Sequence, residues 1–209
     1  YAWQIAVMEE FKKEGYREFY NRVLRLLFLV LTILSCGLAI FSELLVSFVV
    51  DEKYVEAWKY VPILSIAVLF SSLAGFSGAN FSAAKVSKYY FYSSFWGALT
   101  SVILSFILIP MFNLYGAAIA IVLLHAATAA LRIKYSWQYV KITQWYAYVV
   151  MLVVNVCVIL AVFFINDMRV RILVFVLLFL MIVAVNASIL KDVKLIIQTF
   201  VSKFKKGRA

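Results

Sequence analysis

A chain of 209 residues that is 66% apolar, 17% aromatic and only 14% charged cannot hide its side chains in a soluble core, because a folded chain of this size still turns a large surface to water. Its composition, with a mean hydropathy of +0.99, excludes a soluble enzyme, a disordered chain and a small disulfide scaffold, and leaves an all-α integral membrane protein. The net charge of +10 would suggest nucleic acid in a soluble protein; here its placement along the chain reports membrane orientation instead, and no nucleic-acid partner is expected.

The chain opens at Tyr1, with no charged and briefly apolar leader readable there, so it is expected to be a piece of a longer protein. Residues 1–23 read as a cytoplasmic amphipathic arm with the end of a preceding helix. Six stretches then reach or approach the roughly 20 apolar residues that cross the hydrocarbon core. They are Leu24–Val50, Val61–Ala84, Phe91–Met111, Leu114–Leu131, Trp145–Ile165 and Val170–Leu190. Such continuous runs are unlike the alternating segments of a membrane barrel. The connections are short, and Phe112–Asn113 leaves almost no chain between two spans, so the expected fold is six transmembrane helices in antiparallel hairpins with amphipathic helices at both cytoplasmic ends. In the tail, 191–209, Val193, Ile196, Ile197, Phe200, Val201 and Phe204 share one helical face ringed by lysines. That pattern fits a helix lying on anionic membrane lipid.

Six spans put both ends on one side. Of the 20 Lys and Arg residues, sixteen fall in the N-terminal arm, the second and fourth turns and the tail. Only Lys53, Lys59, Arg169 and Arg171 fall on the other side. The positive-inside rule therefore places both termini of the chain in the cytoplasm.

Apolarity does not drive helices together in lipid, so small and polar residues mark the packing faces. Ser71, Gly75, Gly78 and Ser82 form one stripe, Ser94, Gly97, Ser101 and Ser105 another, and Gly116-Ala117-Ala118 opens the fourth span. The fifth and sixth spans lack a stripe and are expected at the lipid-facing periphery. Cys36 and Cys157 lie inside apolar runs and read as buried thiols.

Two ionisable residues are expected inside the membrane, where such groups usually face a cavity or a partner. His125 lies about 14 Å along the helix from Gly116. It shares a face with Thr128 and Arg132. Two readings stand: the basic wall of a water-filled cavity that meets a phosphate, or a neutral His bonded between helices with Arg132 snorkelling to the interface. Glu43 reads either as an ion-coupling group or as a protonated or hydroxyl-bonded carboxyl. Asn80 and Lys85 lie at the inner end of the second span, where Lys85 equally fits an ordinary positive-inside residue. No P-loop, metal-ligand spacing, nucleophile elbow or acid–base carboxylate pair is present in the sequence, so no catalytic residue, metal or cofactor is expected, and the chain reads as a non-enzyme.

Three segments carry a family resemblance. Tyr54-Val55-Glu56-Ala57-Trp58 leads into Val61-Pro62-Ile63-Leu64; a small-residue helix end runs from Gly78 to Lys88; and Leu108-Ile109-Pro110 precedes Tyr115-Gly116-Ala117-Ala118-Ile119-Ala120. Together they resemble the polysaccharide transporter, or O-antigen flippase, family of the multidrug/oligosaccharidyl-lipid/polysaccharide exporter superfamily. The resemblance covers about residues 1–142 and departs from the family pattern at Ser101, Ser105, Asn113 and Ile121. It implies two six-helix lobes around a central cavity that flip a lipid-diphosphate-linked oligosaccharide across the bacterial cytoplasmic membrane by alternating access. Residues 24–142 would be four helices of the C-terminal lobe, and 143–190 two additional helices. His125, Thr128, Arg132, Lys85 and Asn80 are the candidate cavity-lining residues, with Glu43 for ion coupling. The implied partners are the lipid-linked substrate, an N-terminal lobe and other polysaccharide-assembly proteins. Competing readings are a drug or small-solute exporter of the same superfamily, an integral-membrane polysaccharide polymerase or ligase, and a noncatalytic scaffold.

Overall fold

A computed structural model describes residues 2–165 and 167–186. All regular structure among these is helical: α1 (Ala2–Glu10), α2 (Tyr16–Ile40), α3 (Ser42–Val49), a 3₁₀ segment (Glu52–Lys59), α4 (Val61–Ala83), α5 (Lys88–Ser136), α6 (Trp145–Phe164) and α7 (Met168–Val185). Five of these, α2, α4, α5, α6 and α7, are long and apolar enough to cross a membrane. The expected lipid-binding tail, 191–209, lies outside the described residues.

The first long helix starts and ends earlier than the apolar run suggests. Residues 16–23, read from sequence as part of an arm, are the first two turns of α2. They join because aromatic side chains give them something to bury. Trp3 of α1 stacks on Phe76 of α4 at 3.9 Å and on Phe19 at 5.9 Å, and Tyr20 meets Phe76 edge-on at 4.9 Å. The Trp3 indole donates to the Phe76 carbonyl at 3.1 Å, which ties α1 down on α4. Having begun at Tyr16, α2 spans about 37 Å by Ile40 at 1.5 Å per residue. The chain breaks at Phe41 and restarts as α3.

α2 packs on α4 and α6 and touches α7, while α4 carries the most extensive packing, against α5. Short polar contacts fasten these helices where apolarity has no preference. The Ser35 hydroxyl donates to Ser65 Oγ at 2.8 Å, while Ser65 donates to the Pro62 carbonyl. The Cys36 thiol reaches Asn155 Oδ1 on α6 at 3.6 Å. The expectation of a peripheral fifth span therefore needs correction. α6 buries Ala147, Tyr148, Met151, Val154, Asn155, Val158, Ile159 and Val162. Two of these lie in contact with ring or thiol groups of α2, Tyr148 on Phe28 at 5.4 Å and Asn155 on Cys36. Large β-branched side chains interlock there without a glycine stripe. α7 is peripheral as expected, burying only Arg171 and Ile182 among its described residues. Cys36 is buried, whereas Cys157 is on the exposed face of α6.

The third and fourth expected spans form one 49-residue helical element, α5, interrupted at Asn113 (φ 50°, ψ −128°). Its two halves lie against each other at positions within two residues of equal distance from Asn113. Tyr89 stacks on Tyr135 at 4.8 Å, Arg132 bonds Ser93 and Ser94, and a Cβ on Gly97 would strike Thr128. A Cβ on Gly116 would strike the Leu108 carbonyl, so the close return of the chain depends on glycine there.

Contacts gather at two ends. At one, Asn21 Nδ2 donates to the Lys141 carbonyl at 3.2 Å and Thr143 N–H donates to Asn21 Oδ1 at 2.8 Å. Asn80, fully buried, joins the Tyr16 hydroxyl to Ser136 Oγ at the same end. At the other, Trp58 stacks on Phe163 at 6.2 Å and Tyr60 meets Tyr115 at 5.0 Å. Lys59 pairs there with Glu56, whose hydrogen bond holds the ammonium above its ordinary pKa.

Candidate functional site

Arg132 organises the contact between α4 and the two halves of α5. Its Nε donates to Ser93 Oγ at 3.1 Å, one terminal nitrogen to the Ala74 carbonyl at 3.2 Å and the other to Ser94 Oγ at 3.0 Å. Its planar head lies 4.5 Å from the centroid of the Tyr90 ring, a cation–π distance. Ser93 in turn donates to the Tyr90 carbonyl at 3.0 Å. The fork is thus aimed by three neutral oxygens and an aromatic face, a geometry that suits a guanidinium and not an ammonium.

Glycine makes this approach possible at two points. A Cβ on Gly78 would stand 2.6 Å from the Tyr90 hydroxyl, so Tyr90 seats beside α4 only against a bare backbone. Gly97 opposes Thr128, whose hydroxyl donates to the Leu124 carbonyl at 2.9 Å. The result is an open cleft of about 310 Å³, with Ser71, Gly75, Ser94, His125, Thr128 and Arg132 in its lining.

Three of the sequence candidates, His125, Thr128 and Arg132, therefore meet in one cleft. The other three do not line it. Asn80 is fully buried in its bonds to Tyr16 and Ser136. Lys85 is exposed beyond the end of α4, in a left-handed conformation at φ 56°. Glu43 was expected roughly 10 Å inside the first span. It lies instead on α3, past the break at Phe41, exposed and 3.8 Å from the Arg171 guanidinium. Arg171 also donates to the Ile165 carbonyl at 2.5 Å, so Glu43 helps fix the link between α6 and α7.

The cleft is electrostatically one-signed. No acidic residue occurs between Glu56 and Asp167, while Arg132, Lys134 and His125 all lie in that interval. A larger groove of about 470 Å³ on the outer half of α5, lined by Ser101, Val102, Ser105, Phe106, Ile109 and Pro110, has no titratable group in its lining.

Tyr90 and Ser93 were missed as site residues. A hairpin turning at Asn113 places position 132 opposite 94, and that arithmetic was available in the sequence. Arg25 was also missed. Counted only as a positive-inside charge, it is buried and donates to Gln144 Oε1, to Asn186 Oδ1 at 2.8 Å and to the Val185 carbonyl at 2.7 Å.

No family model, curated protein or solved structure matches the chain.

Proposed function

We propose that the chain is part of a transporter that flips a lipid-diphosphate-linked oligosaccharide across a bacterial cytoplasmic membrane by alternating access. The observation that carries this reading is the cleft at Arg132. It presents a guanidinium held by neutral oxygens, beside His125 and Thr128, on a stretch of chain without carboxylates. Such a site attracts a diphosphate, and the serine and threonine hydroxyls around it suit sugar or phosphate oxygens. A cation exporter of the same superfamily would need acidic groups in that position.

In this reading the two halves of α5 are separate crossings, 25 residues before Asn113 and 23 after it. At about 37 and 34 Å each suffices for a hydrocarbon core of roughly 30 Å. The chain then crosses six times, with the ends of α2, α4 and α7 that gather near Asn21 and Arg25 in the cytoplasm. Residues 24–142 form four helices of one lobe, α6 and α7 an added pair, and a second lobe closes the cavity. Function thus requires the whole transporter, with the basic cleft facing the path between the lobes.

The test is made in the intact gene. Deleting it should lower surface polysaccharide while complete lipid-linked units accumulate in the inner leaflet. Wild type should restore export, and Arg132→Gln should restore it by less than a tenth, since a charge-assisted phosphate contact is worth about 1.5–3 kcal/mol. Lipid-linked units that still reach the outer leaflet in the deletion strain would show the reading to be wrong.

A further inference from the structure

We propose that the end of the bundle where α4 passes into α5 is a docking surface for the headgroup of an anionic phospholipid. This inference rests on the chain being embedded in a membrane and not on what it transports.

The surface is built by the helix ends. α4 closes with two hydrogen bonds, Val86 N–H to the Phe81 carbonyl at 2.9 Å and Lys85 N–H to the Ser82 carbonyl at 3.1 Å. That is the double-bonded stop in which glycine normally takes the left-handed position. Here the position is filled by Lys85, with its side chain exposed. Lys88, also exposed, opens α5 three residues later, and its Nζ lies 5.2 Å from the centroid of the Tyr89 ring. Tyr89 is stacked on Tyr135 at 4.8 Å and 23°. That stack brings the last turn of α5, with exposed Lys134, to the same aromatic step. Trp137, 55% exposed, follows directly.

Charge pairing separates these lysines from Lys13 and Lys59. Lys13 has Glu10 and Lys59 has Glu56 within ion-pair reach. Among the described residues, no carboxylate lies within that reach of Lys85, Lys88 or Lys134, and the sequence has none between Glu56 and Asp167. Three ammonium groups without an ion-pair partner among the described residues therefore gather at the helix ends that carry this tyrosine pair, Lys88 directly over one ring. A phospholipid satisfies both halves of that surface, its phosphodiester and anionic headgroup meeting the lysines and its glycerol and upper acyl region meeting the rings. A free phosphate would use only the charge.

The experiment is native mass spectrometry of the purified full chain in neutral detergent, titrated with phosphatidylglycerol or with phosphatidylcholine of the same acyl chains. Wild type should hold phosphatidylglycerol in preference. The triple variant Lys85→Gln/Lys88→Gln/Lys134→Gln should lose roughly a hundredfold in apparent affinity for it, at about fivefold per lysine, with phosphatidylcholine unchanged. The triple arginine variant should keep the preference. A Lys53→Gln/Arg169→Gln variant, which removes two charges from the opposite end, should leave it unchanged. Single Lys88→Gln and Lys134→Gln variants, each expected to lose roughly fivefold, decide the matter if the triple variant does not fold. Equal binding of the two lipids by wild type would overturn the proposal, as would wild-type affinity in the glutamine variants. Displacement of phosphatidylglycerol by millimolar glycerol phosphate would also overturn it, by showing a site for soluble anions.

Discussion

Gly78 is the residue on which the cleft's geometry turns. Its missing side chain leaves room for the Tyr90 hydroxyl, and Tyr90 in turn forms the floor under the Arg132 guanidinium at 4.5 Å. Gly78→Ala puts a carbon 2.6 Å from that hydroxyl and 2.8 Å from the ring carbon bearing it. Overpacking of this kind destabilises by about 1–3 kcal/mol when the neighbour has to move. We expect Gly78→Ala to lower the melting temperature in detergent and to weaken diphosphate binding together, because the displaced ring no longer supports the guanidinium. Adding Tyr90→Phe removes the nearest atom and should recover part of the lost stability. Independent, additive losses in the double variant would show that Gly78 and Tyr90 do not act on one another. His125 stands differently. It borders the cleft with no side-chain hydrogen bond among the described residues, so its replacement by Asn should disturb stability less than Gly78→Ala does.

Among the five membrane-length helices, α7 has the smallest buried share, and Arg25 gives its last turn a polar anchor. Arg25 of α2 reaches the Val185 carbonyl in its last turn and Asn186 Oδ1 just beyond it. The Val185 carbonyl belongs to the negative end of the helix dipole, and with the Asn186 amide oxygen it compensates a buried cation that has no carboxylate within ion-pair reach among the described residues. Arg25 also holds Gln144, the residue preceding α6, at φ 54°. Arg25→Met keeps the apolar stem and removes the donors, leaving three acceptors without a partner at about 1 kcal/mol or more each. The expected loss is about 3 kcal/mol, read as faster proteolysis near α7 and as a lower melting temperature. Cleavage at wild-type rates would mean that α7 is held by its apolar contacts alone. The sequence made the long helices readable because 20-residue apolar runs have few other solutions. It hid the role of Arg25, because a positive-inside arginine and a buried clamp have the same sequence signature. It also misplaced α6, since packing by interlocked Val, Ile and Met leaves no small-residue stripe to read. The cleft was legible in part. The 3.6-residue period put His125, Thr128 and Arg132 on one face, but Tyr90 and Ser93, the partners of Arg132, come from the other half of the hairpin and are found only by counting outward from the Phe112–Asn113 connection.

The whole molecule hinges on that turn. As a straight rod the 49 residues of α5 would extend about 74 Å, more than twice a hydrocarbon core of roughly 30 Å. The stacking of Tyr89 on Tyr135 and the bonds from Arg132 to Ser93 and Ser94 exist only if the chain doubles back at Asn113. Doubling back places residue 112 and residue 88 at opposite ends of the bundle, and in the proposed orientation 88 is the cytoplasmic end. Single cysteines report this directly once Cys36 and Cys157 are replaced by serine. In intact cells a membrane-impermeant maleimide should label Phe112→Cys and Lys53→Cys. Lys88→Cys and Lys141→Cys should react only after permeabilisation. Phe112 is half-exposed and lies one residue before the turn, so its labelling needs no unfolding. Labelling of positions 88 and 112 from the same side would exclude two crossings in α5. Labelling of all four positions in the reverse pattern would preserve the hairpin but invert the molecule, and the Arg132 cleft would then need a route from the outer face.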